Sequence, residues 1–148
     1  MENSAIQPPG VGQIGEKLVA QWLRGQGSRV LAERWRCRWG ELDLVVKCPA
    51  SGGGFEIAFV EVKTRRQQNW DLQGLLAVTP QKQRKLRHAA QLFLADFPDL
   101  MQMPGRFDVA LVQIARPDMV PRDLAPGSWV DFGPDRLFLF DYLSAAFE

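Results

Sequence analysis

The sequence has no long hydrophobic run, and this absence limits where the protein can work. Its longest apolar stretches are short, such as LFLF at 137–140, whereas a membrane-spanning helix needs about 20 apolar residues. The N-terminal stretch MENSAIQPPG has neither the basic segment nor the apolar segment of a secretion signal. We therefore expect a cytoplasmic protein with no membrane partner.

Cysteine and histidine are scarce, which argues against several kinds of site. Cys37 and Cys48 lack metal-ligand spacing and are expected to be reduced thiols, and Cys37 has no evident partner base. His88 lies in a basic stretch and is interpreted as a surface residue rather than a general base. The segment SGGG at 51–54 is not followed by the GK[ST] of a phosphate-binding loop.

The composition that remains is typical of a globular protein. The chain has 148 residues, of which 46% are hydrophobic and 24% are charged, and it has no internal repeat. Residues 1–10 are polar and contain two adjacent prolines, so we expect a flexible tail there. The length fits a single further domain over 11–148.

The net charge is only +1, but it is unevenly spread. Residues 1–91 contain 14 Lys and Arg against 8 Asp and Glu, whereas 92–148 contain 4 against 9. The first part is therefore suited to a polyanionic partner such as DNA. An ordinary fluctuation of charge along the chain accounts for the same counts.

Hydrophobic periodicity predicts the element order α-β-β-β-α-β. The second helix is expected to begin after Thr79 as N-cap and to end before Pro98. The other predicted elements are a helix over 11–25 and strands over 29–35, 40–47, 56–64 and 106–114. Residues 65–78 and 115–135 are predicted to be irregular, and 136–143 form an apolar segment of unassigned type. The order indicates an α/β fold with a small mixed β-sheet flanked by helices.

The strands over 40–47 and 56–64 carry charges in their centres. They are joined by a short flexible turn and are expected to pair as an antiparallel hairpin. Because successive side chains alternate between faces, the strands should have an apolar face and a charged face. The apolar face would consist of Leu42, Leu44, Val60 and Val62, and the charged face of Glu41, Asp43, Glu61 and Lys63. Symmetry about Gly52 would place Asp43 opposite Glu61 and Glu41 opposite Lys63.

The facing carboxylates of Asp43 and Glu61 suggest a metal site. Two such groups across a ladder repel each other, so one takes up a proton or a cation lies between them. Carboxylate oxygens suit Mg²⁺ or Mn²⁺. Lys63 would lie within reach, where it could orient an attacking water or stabilise negative charge on phosphorus. Alternatively, all three are solvated residues on an open sheet face, with Lys63 balancing the acids.

Five segments in this order resemble the bacterial YraN-like family: GQIGEKLVAQWL, GELDLV, FVEVKTRR, AVTPQKQRKLRHAAQLFL and RFDVALV. The resemblance extends from about Gly12 to Phe147. That family is largely uncharacterised and is assigned by similarity to restriction-endonuclease-like nucleases, alongside archaeal Holliday junction resolvases. The resemblance implies a restriction-endonuclease-like core with a PD-(D/E)xK motif, a DNA substrate and Mg²⁺ or Mn²⁺.

The resemblance also assigns roles to individual residues. Asp43 and Glu61 match the two metal ligands, and Lys63 matches the catalytic lysine. Glu16 matches an additional acidic position of the resolvase-like branch, although by itself it is typical of a glutamate favoured by the helix macrodipole. The resolvase relation implies a homodimer, because cutting two strands needs two sites. The SGGG insert and the acidic stretch at 115–135 look longer than the family usually has.

Three basic residues are candidate DNA contacts. Arg65 and Arg66 directly follow the ExK motif, and Lys82 lies closest to the apolar stripe of the second helix and resembles a family position. Each could neutralise a backbone phosphate. The alternative is that they belong to the solvated faces of their elements.

Three further residues have a structural and a functional interpretation. We expect Asp108 to make a buried structural hydrogen bond rather than to bind metal. Trp35 and Trp39 lie near GELD and could stack on bases, but packing in the core or at its rim is the default.

The leading hypothesis is a metal-dependent endonuclease acting on DNA, including branched or damaged DNA. The alternatives are a non-catalytic nucleic-acid-binding module on a nuclease fold and a protein-interaction domain.

Overall fold

The structure is a computed structural model that describes residues 10–66 and 76–148. Its helices are α1 (Val11–Gly25) and α2 (Pro80–Asp96), with 3-10 turns at Pro98–Gln102 and Pro117–Met119. Its strands are β1 (Arg29–Cys37), β2 (Gly40–Pro49), β3 (Phe55–Arg66), β4 (Gly105–Ala115), β5 (Trp129–Phe132) and β6 (Asp135–Phe147). The predicted tail, except Gly10, and much of the predicted irregular segment 65–78 lie outside the described residues.

The described strands form one mixed sheet with the order β1-β2-β3-β4-β6-β5. β3 and β4 are parallel and the other neighbours are antiparallel. A parallel pair needs a long crossover connection, and α2 lies within it. The predicted mixed sheet with helices is therefore confirmed, but the predicted element order lacks the last two strands, β5 and β6. β5 lies inside the segment predicted to be irregular, and the unassigned apolar segment is part of β6.

The two helices pack on separate apolar clusters of the sheet. Leu18, Val19 and Leu23 of α1 lie in a cluster with buried residues of β2, β3 and β4. Leu86, Ala90 and Phe93 of α2 lie in another with residues of β2 and β3. Burying a leucine or phenylalanine side chain stabilises a fold by about 1.5–3 kcal/mol, so these clusters fix both helices against the sheet. Among the described residues, no helix is long and apolar enough to cross a membrane.

Local chemistry positions the start of each helix relative to the sheet. The Thr79 side chain accepts a hydrogen bond from the Lys82 backbone N–H at 3.1 Å, which confirms Thr79 as the N-cap of α2. In α1, a Cβ atom added to Gly15 would collide with Thr64 Oγ1 of β3. Glycine therefore allows α1 to approach β3 closely, and Glu16 follows directly at this contact.

β2 and β3 separate at one end of their hairpin. Their ladder runs from Pro49↔Phe55 to Leu44↔Val60, and its register is symmetric about Gly52 as predicted. Beyond Leu44, β2 continues to pair with β1, while β3 beyond Val60 continues to pair with β4. The separation leaves a gap between the two strands at the level of the next residues, Asp43 and Glu61.

The separation also changes which way β2 side chains point. Leu42 packs in the α2 cluster, whereas Leu44 packs in the α1 cluster. The prediction that Leu42 and Leu44 share a face is therefore wrong, because regular alternation does not persist where the strand leaves its partner. Val60 and Val62 both pack against the α1 cluster, so the prediction for β3 is confirmed.

Candidate metal centre

Asp43 lies in the gap between the separated strands. Its Oδ2 accepts a hydrogen bond from the Val62 backbone N–H at 2.8 Å, so the side chain takes the place of a ladder partner. Burial raises the pKa of Asp43 to about 8, repulsion from Glu61 adds to this effect, and the hydrogen bond from Val62 opposes it. Asp43 therefore favours a bound proton or cation at neutral pH.

Three carboxylates meet at this gap. Glu16 of α1, Glu41 of β2 and Asp43 each offer an oxygen, and these oxygens lie within 4.8 Å of one another. The Glu16 side chain is 15% exposed, and its buried Oε1 has no hydrogen-bond donor among the described residues. Burial raises the pKa of Glu16, and Arg34 partly opposes that shift. Glu16 therefore points from α1 toward the sheet.

Glu41 is the site residue that sequence reasoning missed. It was expected opposite Lys63, but its Oε2 instead accepts a hydrogen bond from Arg36 Nε at 2.9 Å, and the ladder that would have faced it with Lys63 ends at Leu44. Spacing alone carried a usable signal, since Glu41 and Asp43 are two residues apart on one strand and share a side.

Arg34 is a strained cation beside these acids. Its Nε lies 3.8 Å from a carboxylate oxygen of Glu16 and 3.8 Å from one of Glu41. Its φ of 52° is in the left-handed region, which costs a non-glycine residue about 1–2 kcal/mol. Strained residues often lie at functional sites because the surrounding structure holds them there.

Glu61 and Lys63 point toward the α2 side of the gap. Glu61 Oε2 lies 3.7 Å from Lys82 Nζ, and Lys63 Nζ donates a hydrogen bond to the Ala77 carbonyl. Burial lowers the pKa of Lys63, while Glu61 opposes that shift. Asp43 thus joins two groups of charges: the acids Glu16 and Glu41, and a mixed group of Glu61 with two lysines.

Arg65 and Arg66 lie at the exposed end of β3. Arg65 Nη1 donates to the Thr64 carbonyl at 2.9 Å, and Arg66 Nη2 pairs with Asp135 Oδ2 at 2.8 Å. A phosphate would have to compete with Asp135 for Arg66. Their role as DNA contacts stays a prediction, as does that of Lys82, which the structure places next to Glu61.

Asp108 has the buried structural role predicted for it. It is 0% exposed, and it accepts hydrogen bonds from Tyr142 Oη at 2.6 Å, the Ala145 backbone N–H at 2.9 Å and Arg106 Nε at 3.1 Å. Arg106 also pairs with Glu56. These donors satisfy the Asp108 carboxylate within the protein.

The two tryptophans near the site differ in their surroundings. The ring of Trp35 packs edge-on against Phe93, which confirms the default interpretation of core packing. Trp39 is 37% exposed and stacks on His88. His88 is exposed on α2, as predicted.

The donor set at the gap fits a hard divalent cation. It consists of carboxylate oxygens, which Mg²⁺ and Mn²⁺ prefer, and it lacks cysteine and histidine ligands among the described residues. The buried Oε1 of Glu16 accepts no hydrogen bond from the described residues, and the Arg34 Nε at 3.8 Å is beyond hydrogen-bond distance, so this oxygen is available as a ligand. A cation here would relieve the repulsion that raises the pKa of Asp43.

Comparison with known proteins identifies a family. The sequence pattern of the uncharacterised protein family UPF0102 matches residues 15–112. A UPF0102 protein of Synechococcus sp. (strain JA-3-3Ab) is 50% identical over 138 residues, which cover 93% of this chain and 91% of that protein. A UPF0102 protein of Acaryochloris marina is 53% identical over 107 residues, which cover 70% of this chain and 62% of the length of that relative. The matched range contains Glu16, Asp43, Glu61 and Lys63.

Proposed function

The chain belongs to the UPF0102 family, the YraN-like family that its motifs resemble, and we propose that it is a Mg²⁺- or Mn²⁺-dependent endonuclease acting on DNA. The observation that carries this proposal is the convergence of carboxylates where β2 and β3 separate. Oxygens of Glu16, Glu41 and Asp43 lie within 4.8 Å of one another. Glu61 is close enough to raise the pKa of Asp43 and lies beside Lys63 and Lys82. Acids that share a site with lysines suit the hydrolysis of a phosphodiester bond.

The arrangement of strands also supports the proposal. An antiparallel β1-β2-β3 unit continues through the crossover helix α2 into a parallel β4. We propose that this unit is a restriction-endonuclease-like core, in which Asp43 and the pair Glu61 and Lys63 form the PD-(D/E)xK motif. The branch related to resolvases then predicts a homodimer, which light scattering on the purified protein would test.

Each side chain at the gap has a distinct role in this proposal. Asp43 and Glu61 would hold the cation, while Glu16 and Glu41 would supply further oxygens or support a second cation. When bound, Mg²⁺ or Mn²⁺ supplies charge neutralisation and a more acidic water. Asp43 would give up its proton when a cation binds, because the cation would replace the proton as its positive partner.

Lys63 would act on the water and on the phosphate. Its bond to the Ala77 carbonyl holds the ammonium group in place, and Glu61 is close enough to affect its pKa. From there Lys63 would orient the attacking water in line with the leaving oxygen and stabilise charge on the phosphorus oxygens. Lys82 lies next to Glu61, with its Nζ 3.7 Å from Glu61 Oε2, and would contact a neighbouring phosphate.

The direct test is cleavage of a DNA panel by the purified protein with Mn²⁺. The panel contains linear, nicked and four-way DNA, and the variants are Lys63→Ala and Asp43→Asn. We expect cleavage by the wild type and a loss of at least about 100-fold in each variant, the usual size for removing a catalytic group. Arg122→Ala serves as a matched loss of a positive charge outside the site and should cleave normally.

Other outcomes identify the alternatives. Binding without cleavage across the whole panel would favour a nucleic-acid-binding module on the same fold. Absence of both DNA binding and Mn²⁺ binding would contradict the nuclease proposal and favour a protein-interaction domain. Cleavage that survives in Asp43→Asn would mean that the activity belongs to a contaminant or to another site.

A further inference from the structure

The turn between β1 and β2 presents an exposed aromatic ring beside the acidic gap. β1 ends at Cys37 and β2 begins at Gly40, so Arg38 and Trp39 form the tip of this hairpin. Trp39 is 37% exposed, and its ring lies 4.3 Å from that of His88 with an angle of 20° between the planes. Because His88 belongs to α2, the stack fixes the position of the hairpin tip.

Positive charges surround this ring. The Arg38 guanidinium lies 5.7 Å from the centre of the Trp39 ring. Arg36 is 74% exposed and its Nε contacts Glu41, so the surface leads directly to the acidic gap. Arg84 and Lys85 are exposed one turn before His88 on α2, where residues three and four apart lie on the same side of a helix.

This combination is suited to a single strand of nucleic acid. Cations can follow the phosphates, while an exposed and oriented aromatic ring can stack on an unpaired base. The bases of a regular duplex are already stacked on each other and cannot use such a ring.

We propose that the hairpin platform, defined as Arg36, Arg38, Trp39 and His88, binds an unpaired base of a DNA strand. The proposal rests on the proposed nuclease function and narrows its substrate. The DNA would carry unpaired nucleotides next to the cleaved bond, as at a flap, a gap or a branch point. Trp39 would hold the base and Arg38 a phosphate beside it.

The chain contains a matched control for Trp39. Trp129 is 41% exposed, and the Arg136 guanidinium lies 4.1 Å from the centre of its ring. It lies on β5, at the opposite edge of the sheet from β1, and Arg136 is paired with Asp131 at 2.7 Å. Trp129 thus has a similar exposure and a similar cation, but lies at the sheet edge opposite the β1-β2 hairpin.

The test measures binding of a short labelled DNA in EDTA, where cleavage is absent. Single-stranded DNA and a blunt duplex of the same sequence are compared. We expect Trp39→Ala to weaken single-strand binding about tenfold, the effect of losing one base–aromatic stack, and to change duplex binding by less than about twofold. Trp39→Phe should retain much of the affinity, and Trp129→Ala should leave it unchanged.

Salt dependence separates stacking from charge. Trp39→Ala removes no charge and should leave the salt slope of single-strand binding unchanged, whereas Arg38→Ala should reduce it by about 0.7. Equal losses on single strands and duplexes, equal effects of Trp39→Ala and Trp129→Ala, or no DNA binding at all would each overturn the proposal. These binding measurements need no metal, so their outcome is independent of the cleavage assay. The platform proposal can fail although the protein cleaves DNA, and it can hold although the protein does not.

Discussion

Asp43 and Asp108 lie on strands of the same sheet and are both largely withdrawn from water, yet their surroundings are opposite. Asp108 receives hydrogen bonds from a guanidinium, a phenol and a backbone N–H. Asp43 receives a hydrogen bond from Val62 but is otherwise close to Glu16, Glu41 and Glu61. One aspartate is surrounded by donors and the other mainly by acceptors.

The difference distinguishes a carboxylate whose partners are supplied by the protein from one that is suited to binding a proton or a cation. A buried charge that is well paired is costly to disrupt, because removing a partner leaves the rest unsatisfied. A buried carboxylate among other carboxylates raises the free energy of the folded state, and a proton or a cation lowers it again. The Asp108 network should therefore matter mainly for stability, and the Asp43 cluster mainly for binding and chemistry.

The largest expected effect is that of Asp108→Ala on stability. The substitution leaves Arg106 and Tyr142 without the acceptor they share, so the free energy of unfolding should fall by about 3–5 kcal/mol. Urea denaturation measures it, with Tyr142→Phe as the milder control that removes one hydrogen bond. A loss below about 1 kcal/mol would mean that Asp108 is not the centre of this network.

Asp43→Asn should have the opposite sign in the absence of metal. The amide can still accept the hydrogen bond from Val62 but carries no charge to repel Glu61. We expect the free energy of unfolding at neutral pH to rise by up to about 4 kcal/mol, because the wild type loses about 1.4 kcal/mol per pH unit between about pH 4 and pH 7. The variant should also lose the Mn²⁺-induced increase in Tm, and destabilisation would contradict the repulsion inferred at this gap.

The same repulsion predicts an unusual pH dependence. Because the pKa of Asp43 is raised to about 8 in the folded protein, the folded state keeps a proton that the unfolded chain releases near pH 4. The free energy of unfolding in EDTA should therefore decrease as pH rises from about 4 to 8, by at most about 1.4 kcal/mol per pH unit. Urea titrations at several pH values test this, and an equal slope in Asp43→Asn would assign it to other groups.

The smallest expected effect on stability is that of Arg34→Asn. Two half-exposed ion pairs are lost, each worth at most about 1 kcal/mol, while asparagine tolerates the left-handed backbone better. The net change should lie within about 1 kcal/mol, but Mn²⁺ affinity should rise several-fold because a competing cation is gone. Arg36→Gln, which removes a charge from Glu41 alone, should change Mn²⁺ affinity less. Lower affinity in Arg34→Asn would mean that Arg34 holds the acids in place for the metal.

Much of the fold could be predicted because its signals are local. The alternation of FVEVK placed Val60 and Val62 on one face of the strand and Glu61 and Lys63 on the other. Symmetry of the turn about Gly52 predicted the register of the hairpin. Thr79 could be identified as a cap because the capping bond joins residues three apart. β5 and the length of β6 escaped prediction, since short strands in a polar segment depend on the strands that they pair with.

The candidate site could be predicted only in part. Asp43, Glu61 and Lys63 followed from strand periodicity and family resemblance, and Glu16 followed from the resemblance alone. Glu41 was not recognised, because its place in the cluster depends on where β2 leaves β3.

The sequence by itself determined the alternation of valine with charge in FVEVK, the capped basic helix and the supply of carboxylates near one hairpin. Tertiary structure decided which carboxylates meet. The close approach of α1 at Gly15 brings Glu16 to the gap, and the separation of β2 from β3 turns Asp43 inward. Periodicity is a property of neighbouring residues, whereas repulsion among buried acids arises only when separate elements pack together and exclude water.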